Sequence, residues 1–436
     1  MYFSSFRAEF RVYRNFYRWM LLFSGSASVR RLATLELTLI MLAVIAVPAP
    51  CFQIVSLKSQ MTGMAHADTS APIPQGHIRW FGYYDLMDNR SYDGLPSARG
   101  DINLAWIAEQ KADGVLNVLG QEALYLSECK QAGVNAIVAL SWIFAGPGFT
   151  ARPTAVWQAN WQAATQVFRP FVEDGTVIAW YFYDEIAENA GPFHISPGVV
   201  SGELEKMTIQ IRQSFPGVPI ASICQPDVVT NRVLNPDGVD SFTLSFNGET
   251  TAPLTTSGLT AASVQSSLQG LSTIGQGNAT VTEYEGIFTV TLALALLDTP
   301  EAPDLTARGT GGTATVSSWD LSSLDWIGLD NYTDPFDADL YQDYLSVLEH
   351  KFGKEMLVVP YAYSTEPLTA AIEEDRLQQA SEYWNLAQHD PDVIGVIPFL
   401  YNSQPGLYGV DQMPEVQEQF LLEAAGGGLV SMAGLR

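Results

Sequence analysis

Two adjacent carboxylates, Asp184 and Glu185, end an apolar and aromatic run that begins at Val177. The run reads Val-Ile-Ala-Trp-Tyr-Phe-Tyr, the composition of a strand buried on both faces of a parallel sheet. Acids at the tip of such a strand are costly against an apolar wall unless they have a task. Neighbouring carboxylates can run acid and base chemistry, because the charge of one raises the proton affinity of the other. The plainer alternative is a strand end whose Asp and Glu cap the next helix, which both residue types suit.

The elements around this pair repeat. Strand-like runs fall at 78–84, 102–107, 134–140, 177–183, 219–224, 326–330, 357–363 and 393–400. Helical patterns fall at 117–132, 155–173, 200–215, 338–352 and 370–388. Gly133, Gly175 and Gly217 follow three of these helices, where a chain turns back into a strand. Such alternation predicts a parallel sheet, and eight units predict a closed (β/α)8 TIM barrel. A doubly wound open sheet is the second choice, but no Gly-rich phosphate loop follows the first strand.

A barrel gathers the C-terminal ends of its strands on one rim, where the chemistry of such folds is done. That rim would hold Asp85 after the first strand, Trp142 after the third, and Asp184 and Glu185 after the fourth. Gln225 follows the fifth, Asp330, Asn331 and Tyr332 the sixth, Tyr363 ends the seventh, and Tyr401 and Asn402 follow the eighth. Rings stack on the apolar faces of sugars, while amides and carboxylates bind hydroxyls. Glycosidic hydrolysis needs an acid for the leaving oxygen and a second group for the oxocarbenium-like transition state. Glu185 is the expected acid, Asp184 and Asp330 its partners, and the others are expected to contact substrate.

The barrel resembles the glycoside hydrolase superfamily. "AWYFYDE" is similar to the fourth strand of those barrels, which often ends in Asn-Glu or Asp-Glu with the Glu as acid/base; "LDWIGLDNYT" is similar to their sixth. The resemblance spans about 76–240 and 317–405 and implies a carbohydrate substrate and no cofactor. One departure stands out. Retaining members end the seventh strand in a nucleophilic Glu, whereas this chain reads "LVVPYAYSTEP", with Glu366 three residues past Tyr363. Either Asp330 is the second carboxylate, or Asp184 and Glu185 suffice, as in substrate-assisted hexosaminidases.

About a hundred residues separate the fifth and sixth strands, too many for a connection. In 241–316, Thr, Ser, Gly and Ala dominate and Lys is absent; 241–246 and 288–293 alternate apolar with polar. The segment is expected to be an inserted β-rich domain. "SFTLSFNGETTAPL" and "FTVTLALALLDTPEAPDLTA" resemble a module of large bacterial surface proteins, which implies an extracellular place. The expected order is a signal or anchor in 1–70, barrel in 71–240, insert in 241–316, barrel in 317–425, and a tail in 426–436.

The 436 residues are 47% hydrophobic and carry a net charge of -25. Nucleic acid and anionic membrane surfaces are poor partners for such a body. Residues 1–67 hold seven basic and two acidic residues, which leaves 15 basic and 45 acidic in the remainder. This basic start precedes the apolar run 37–47, the order of a signal sequence or an N-in anchor. A secreted or envelope-anchored protein is expected, touching the membrane only through this segment. Three cysteines make no disulfide framework, and Cys129 and Cys224 are expected to be inert buried thiols. Neither CxxC nor HExxH occurs, so no metal site is expected. No nucleophile-elbow pattern surrounds Ser141 or Ser403, so a serine hydrolase is not expected. The rival readings are a non-catalytic glycan-binding or adhesion barrel at the cell surface, and a structural envelope protein. Oligomeric state is not legible.

Overall fold

The computed structural model describes residues 76–84, 102–107, 115–144, 156–182, 184–187, 197–298, 304–333, 335–403 and 406–429. The expected leader and Asp85 lie outside them. Among the described residues no helix is long and apolar enough to cross a membrane.

The molecule is a (β/α)8 barrel. Its strands are β1 (Trp80–Phe81), β2 (Leu104–Ile107), β3 (Asn135–Ala139), β4 (Val177–Tyr181) and β5 (Ile220–Cys224), and then β14 (Trp326–Leu329), β15 (Glu355–Val358) and β16 (Val393–Val396). They pair in the order β1-β16-β15-β14-β5-β4-β3-β2, every pair parallel. The Asn103 amide donates to the Phe81 carbonyl at 3.1 Å, and the Phe81 amide to Asn103 Oδ1 at 2.8 Å. These bonds bring β1 against β2 and complete the ring. Gly82 permits the approach: a Cβ there would stand 2.0 Å from the Leu104 carbonyl oxygen.

Helices α1 (Val115–Ala132), α2 (Ser141–Phe144), α3 (Trp157–Glu173), α4 (Pro197–Ser214) and α5 (Asp227–Thr230) alternate with the first strands. Two separate cores follow from strand alternation. Leu104, Trp106, Ile137, Ala179, Tyr181, Ile223, Trp326, Leu357 and Ile397 fill the barrel interior, while the opposite faces pack outward.

Between β5 and β14 the chain builds two antiparallel sheets. One has the order β10-β11-β6-β13, from β6 (Asn231–Asn235), β10 (Ala279–Tyr284), β11 (Ile287–Leu292) and β13 (Thr315–Ser317). The other joins β7 (Ser241–Phe246), β8 (Glu249–Thr250), β9 (Leu254–Thr255) and β12 (Thr306–Thr310). Asn247-Gly248 and Glu285-Gly286 both take positive φ, which is what two-residue hairpin turns demand. Helix α6 (Ala261–Gln269) opens on a Thr260–Ser263 capping box. β6 precedes residue 241 and pairs with β13, so the antiparallel part opens and closes on one β6–β13 stem.

Helices α7 (Ala338–Phe352), α8 (Ala370–His389) and α9 (Pro414–Gly426) complete the outer layer. Asp337 caps α7 by accepting from the Leu340 amide at 3.0 Å, and left-handed Gly353 ends it.

Candidate active site

Strand β4 ends at Tyr181, two residues short of the expected limit. The chain beyond it still bonds to β5: the Phe182 amide donates to Ala221 at 2.9 Å and the Glu185 amide to Ile223 at 3.0 Å. Three steps on one side thus match two on the other, so one extra residue bulges out. Glu185 sits at φ +44°, a left-handed backbone that a side chain of its kind adopts at a cost. The bulge changes the expected alternation, in which Asp184 would face away from Tyr181. Instead Asp184 Oδ1 accepts from Tyr181 Oη at 2.6 Å and from Tyr84 Oη at 2.8 Å.

Asp330 reaches the same place from β14. Trp326, Gly328 and Asp330 alternate onto the barrel's inner face. Gly328 leaves room there for Ile223, whose Cγ1 would lie 2.7 Å from an added Cβ. Asp330 is only 4% exposed and is hydrogen-bonded to Glu185. Burial first, and then the charges of Glu185 and Asp184, hold its carboxyl well above the usual carboxylate range. Its Oδ1 is buried with no hydrogen-bond partner among the described residues. Gln225, following β5, donates Nε2 to Glu185 Oε1 at 2.8 Å.

A wall of rings stands beside the carboxyls. Tyr332 lies 5.4 Å from Tyr361, 5.8 Å from Tyr363 and 6.1 Å from Phe399 between centroids. Burial and the neighbouring acids raise its phenol well above the ordinary range, so it is a neutral hydrogen-bond donor. The seventh strand end, where a nucleophilic Glu is absent, carries Tyr361 and Tyr363. Buried Arg376 pins both: its guanidinium lies 3.9 Å above the Tyr361 ring, and its Nε donates to the Tyr363 carbonyl at 2.9 Å. Glu366 is exposed in the following loop.

The structure therefore brings together Asp184, Glu185, Gln225, Asp330, Tyr332 and Tyr363. Tyr401 packs in the outer core, 4.7 Å from the Tyr83 ring and 3.4 Å from Gln417. Asn331 presents its carbonyl to Tyr383 Oη at 3.5 Å, and Asn402 is buried. Trp142 falls in α2, and its side chain lies outside what is described. Sequence reasoning missed Tyr84, Tyr181, Tyr361 and Phe399, although all four stand at or near strand ends where period-2 alternation aims inward.

Cys129 and Cys224 are buried free thiols; burial pushes Cys129 up to about 12 and holds Cys224 well above its ordinary value, so neither is a ready thiolate. Among the described residues, one acidic group could bring carboxylate oxygens within 4.8 Å of one another: Glu349, Asp390 and Asp392. It lies at the opposite end of the barrel, where β16 begins.

No family model and no curated protein match the chain. Solved structures to which it is similar include a chain from Mycobacterium phage Patience, 21% identical over 20% of this chain and 35% of that one, with a TM-score of 0.16. Xylanase 10B from Thermotoga maritima is 10% identical over 80% of this chain and 97% of its own, with a TM-score of 0.40. A beta-glucuronidase from an uncultured Clostridium sp. is 11% identical over 79% of this chain and 50% of its own, with a TM-score of 0.42. This chain thus spans about a third of the phage chain and half of the glucuronidase. Likeness of this size carries no functional argument, and the barrel stands on its own strand order.

Proposed function

We propose that this protein is an exported enzyme that hydrolyses glycosidic bonds in a polysaccharide or glycan, with Glu185 protonating the leaving oxygen. The observation that carries this reading is the Glu185–Asp330 contact on the barrel rim, beside a wall of aromatic rings. Two carboxyls in hydrogen-bond contact titrate as a pair and hold one proton between them far above the range of a lone acid. Asp330 is sealed from solvent while Glu185 is half-buried, so Glu185 is the member that meets a ligand. The rings offer stacking faces, and Gln225 fixes the Glu185 carboxylate.

In two-carboxylate glycosidases the groups stand about 5–9.5 Å apart with the sugar between them. Carboxyls in hydrogen-bond contact leave no such room. We therefore read Asp330 as the proton partner of Glu185, not as the group on the far side of the sugar. That far-side role goes to a water molecule or to the substrate's own acetamido group with Asp184 beside it. The test is release of reducing ends by the full-length protein on a panel of aryl glycosides and polysaccharides. Turnover of at least one class is expected. Glycan binding without turnover would select the adhesion reading instead, which the lack of an acid at the C-terminal end of the seventh strand favours.

The export reading rests on the basic start and the apolar run that follows it. Recovery of the full-length chain from the soluble cytoplasm of its native cell would contradict it. We also read β6 to β13 as an independently folding module of a surface-protein type. Joining Asn235 to Thr315 through a two-residue turn removes most of it and keeps the stem, and surface-loop excisions change closure entropy little. A soluble, cooperatively melting barrel is expected; its collapse would count against the module.

A further inference from the structure

Around Asp184 three oxygens meet in a triangle. Tyr84 Oη and Tyr181 Oη donate to one carboxylate oxygen at 2.8 and 2.6 Å, and the two phenol oxygens lie 2.8 Å apart. The tyrosines come from opposite stretches of the chain, one after β1 and one at the end of β4, and meet only because the barrel closes. Their rings are fixed in turn by Trp106, 4.8 Å from Tyr84 and 4.7 Å from Tyr181. Tyr84 and Tyr181 are 5% and 3% exposed, so both hydroxyls point into the barrel mouth instead of solvent.

We infer that Tyr84 and Tyr181 are positioning residues that clamp Asp184 as a fixed anion against the Glu185–Asp330 pair. The inference rests on the catalytic reading above and adds two residues to it. A carboxylate that accepts two phenol protons is favoured in its charged form. An anion fixed at that spot makes the nearby pair hold its proton more tightly, in keeping with the charge of Asp184 acting on Asp330. The groups that face this centre are Tyr84, Tyr181, Glu185, Asp330 and Tyr332, with Cys224, Tyr341 and Tyr383 behind Asp330. The clamp thereby separates two tasks: Asp184 supplies constant charge, and the pair supplies the proton.

The test uses the full-length protein, labelled with 13C at Asp and Glu carboxyls and titrated by NMR. Wild type should show a carboxyl step well above the ordinary range. Tyr84→Phe with Tyr181→Phe keeps every ring and removes both donors, so the step at which Asp184 itself takes a proton should rise by roughly one unit. Asp184→Asn removes the charge, and the high step of the pair should fall by roughly one unit. The alkaline limb of kcat/KM should move down in Asp184→Asn. Opposite shifts in the two variants support the clamp. Unchanged titration in both, or an upward shift in Asp184→Asn, would overturn it. Because the NMR arm needs no substrate, a clamp that behaves as stated in a protein that turns over no glycan would sink the catalytic reading alone.

Discussion

The two ends of this barrel treat acidic residues differently. At the N-terminal end of the strands, acids meet bases. Asp325 accepts from Arg212 Nη2 at 2.9 Å on each carboxylate oxygen and also accepts from the Ile220 amide. Glu355 takes Arg79 at 2.6 Å and Trp326 Nε1 at 2.8 Å, and Asp174 takes Lys130 at 2.8 Å. The Lys130 contact, with Thr176, holds the Asp174 carboxyl below its ordinary range. At the C-terminal end, Asp184 meets phenols, Glu185 meets an amide, and Asp330 meets Glu185. Pairing with bases ties strand starts to helix ends and serves stability. Acids packed against one another store proton affinity, which costs stability and is retained where chemistry uses it.

If that contrast is right, Asp330→Asn should remove activity and spare the fold. A loss of roughly a hundred- to ten-thousand-fold in kcat is expected, with KM little changed. Thermal unfolding of the same variant should occur at an equal or higher temperature, because a buried acid without a base has been removed. A destabilised but fully active Asp330→Asn would break the comparison.

Gly82→Ala attacks ring closure instead. The added methyl meets the Leu104 carbonyl, a backbone atom that cannot swing aside. A cost of about 1–3 kcal/mol or more is expected in denaturant unfolding. A neutral result would mean that β1 and β2 meet less closely than described.

Asp325→Asn should mirror Asp330→Asn at the other end. It weakens a partly exposed ion pair, so a stability loss of about 1 kcal/mol or less is expected with turnover unchanged. A large drop in kcat would show that the N-terminal end also serves the reaction.

A pH-dependent effect belongs to an exception at that end among the described residues. Glu349, near Asp390 and Asp392, is raised by burial and then by those charges from 4.5 to about 8. The unfolded chain ionises this group near 4.5, whereas the fold keeps it protonated to about 8. Stability therefore falls as pH rises through that window. Glu349→Gln lacks this slope, so its melting temperature should gain on wild type between pH 5 and pH 8. Parallel melting curves across that range would contradict the assignment.

Much of this was legible in the chain, for a physical reason. Parallel strands buried on both faces read as apolar runs, so all eight appear with ends shifted by a few residues. Asp184 and Glu185 stand out because two adjacent acids at the end of a buried strand are costly. The bulge did not show, since period-2 alternation carries no signal for an extra residue, and it decides which way both acids turn. Nor did the phenol clamp, because Tyr84 and Tyr181 meet only when β1 closes on β2. Strand β6 hid behind its Arg232, a buried cation that its ion pair with Asp304 at 2.8 Å makes tolerable. Helix α9 was marked by Pro414 at its first turn and by Val416, Phe420, Leu421 and Ala424 on one buried face, a signal present but not read.

The most direct measurement is the ratio of turnover between Glu185→Gln and wild type on two substrates with the same sugar. One carries a natural alkoxide leaving group, and the other an activated phenolate that departs without protonation. The account predicts a loss of roughly a hundred- to ten-thousand-fold on the first and a much smaller loss on the second. Wild-type turnover of the natural glycan by Glu185→Gln would contradict it.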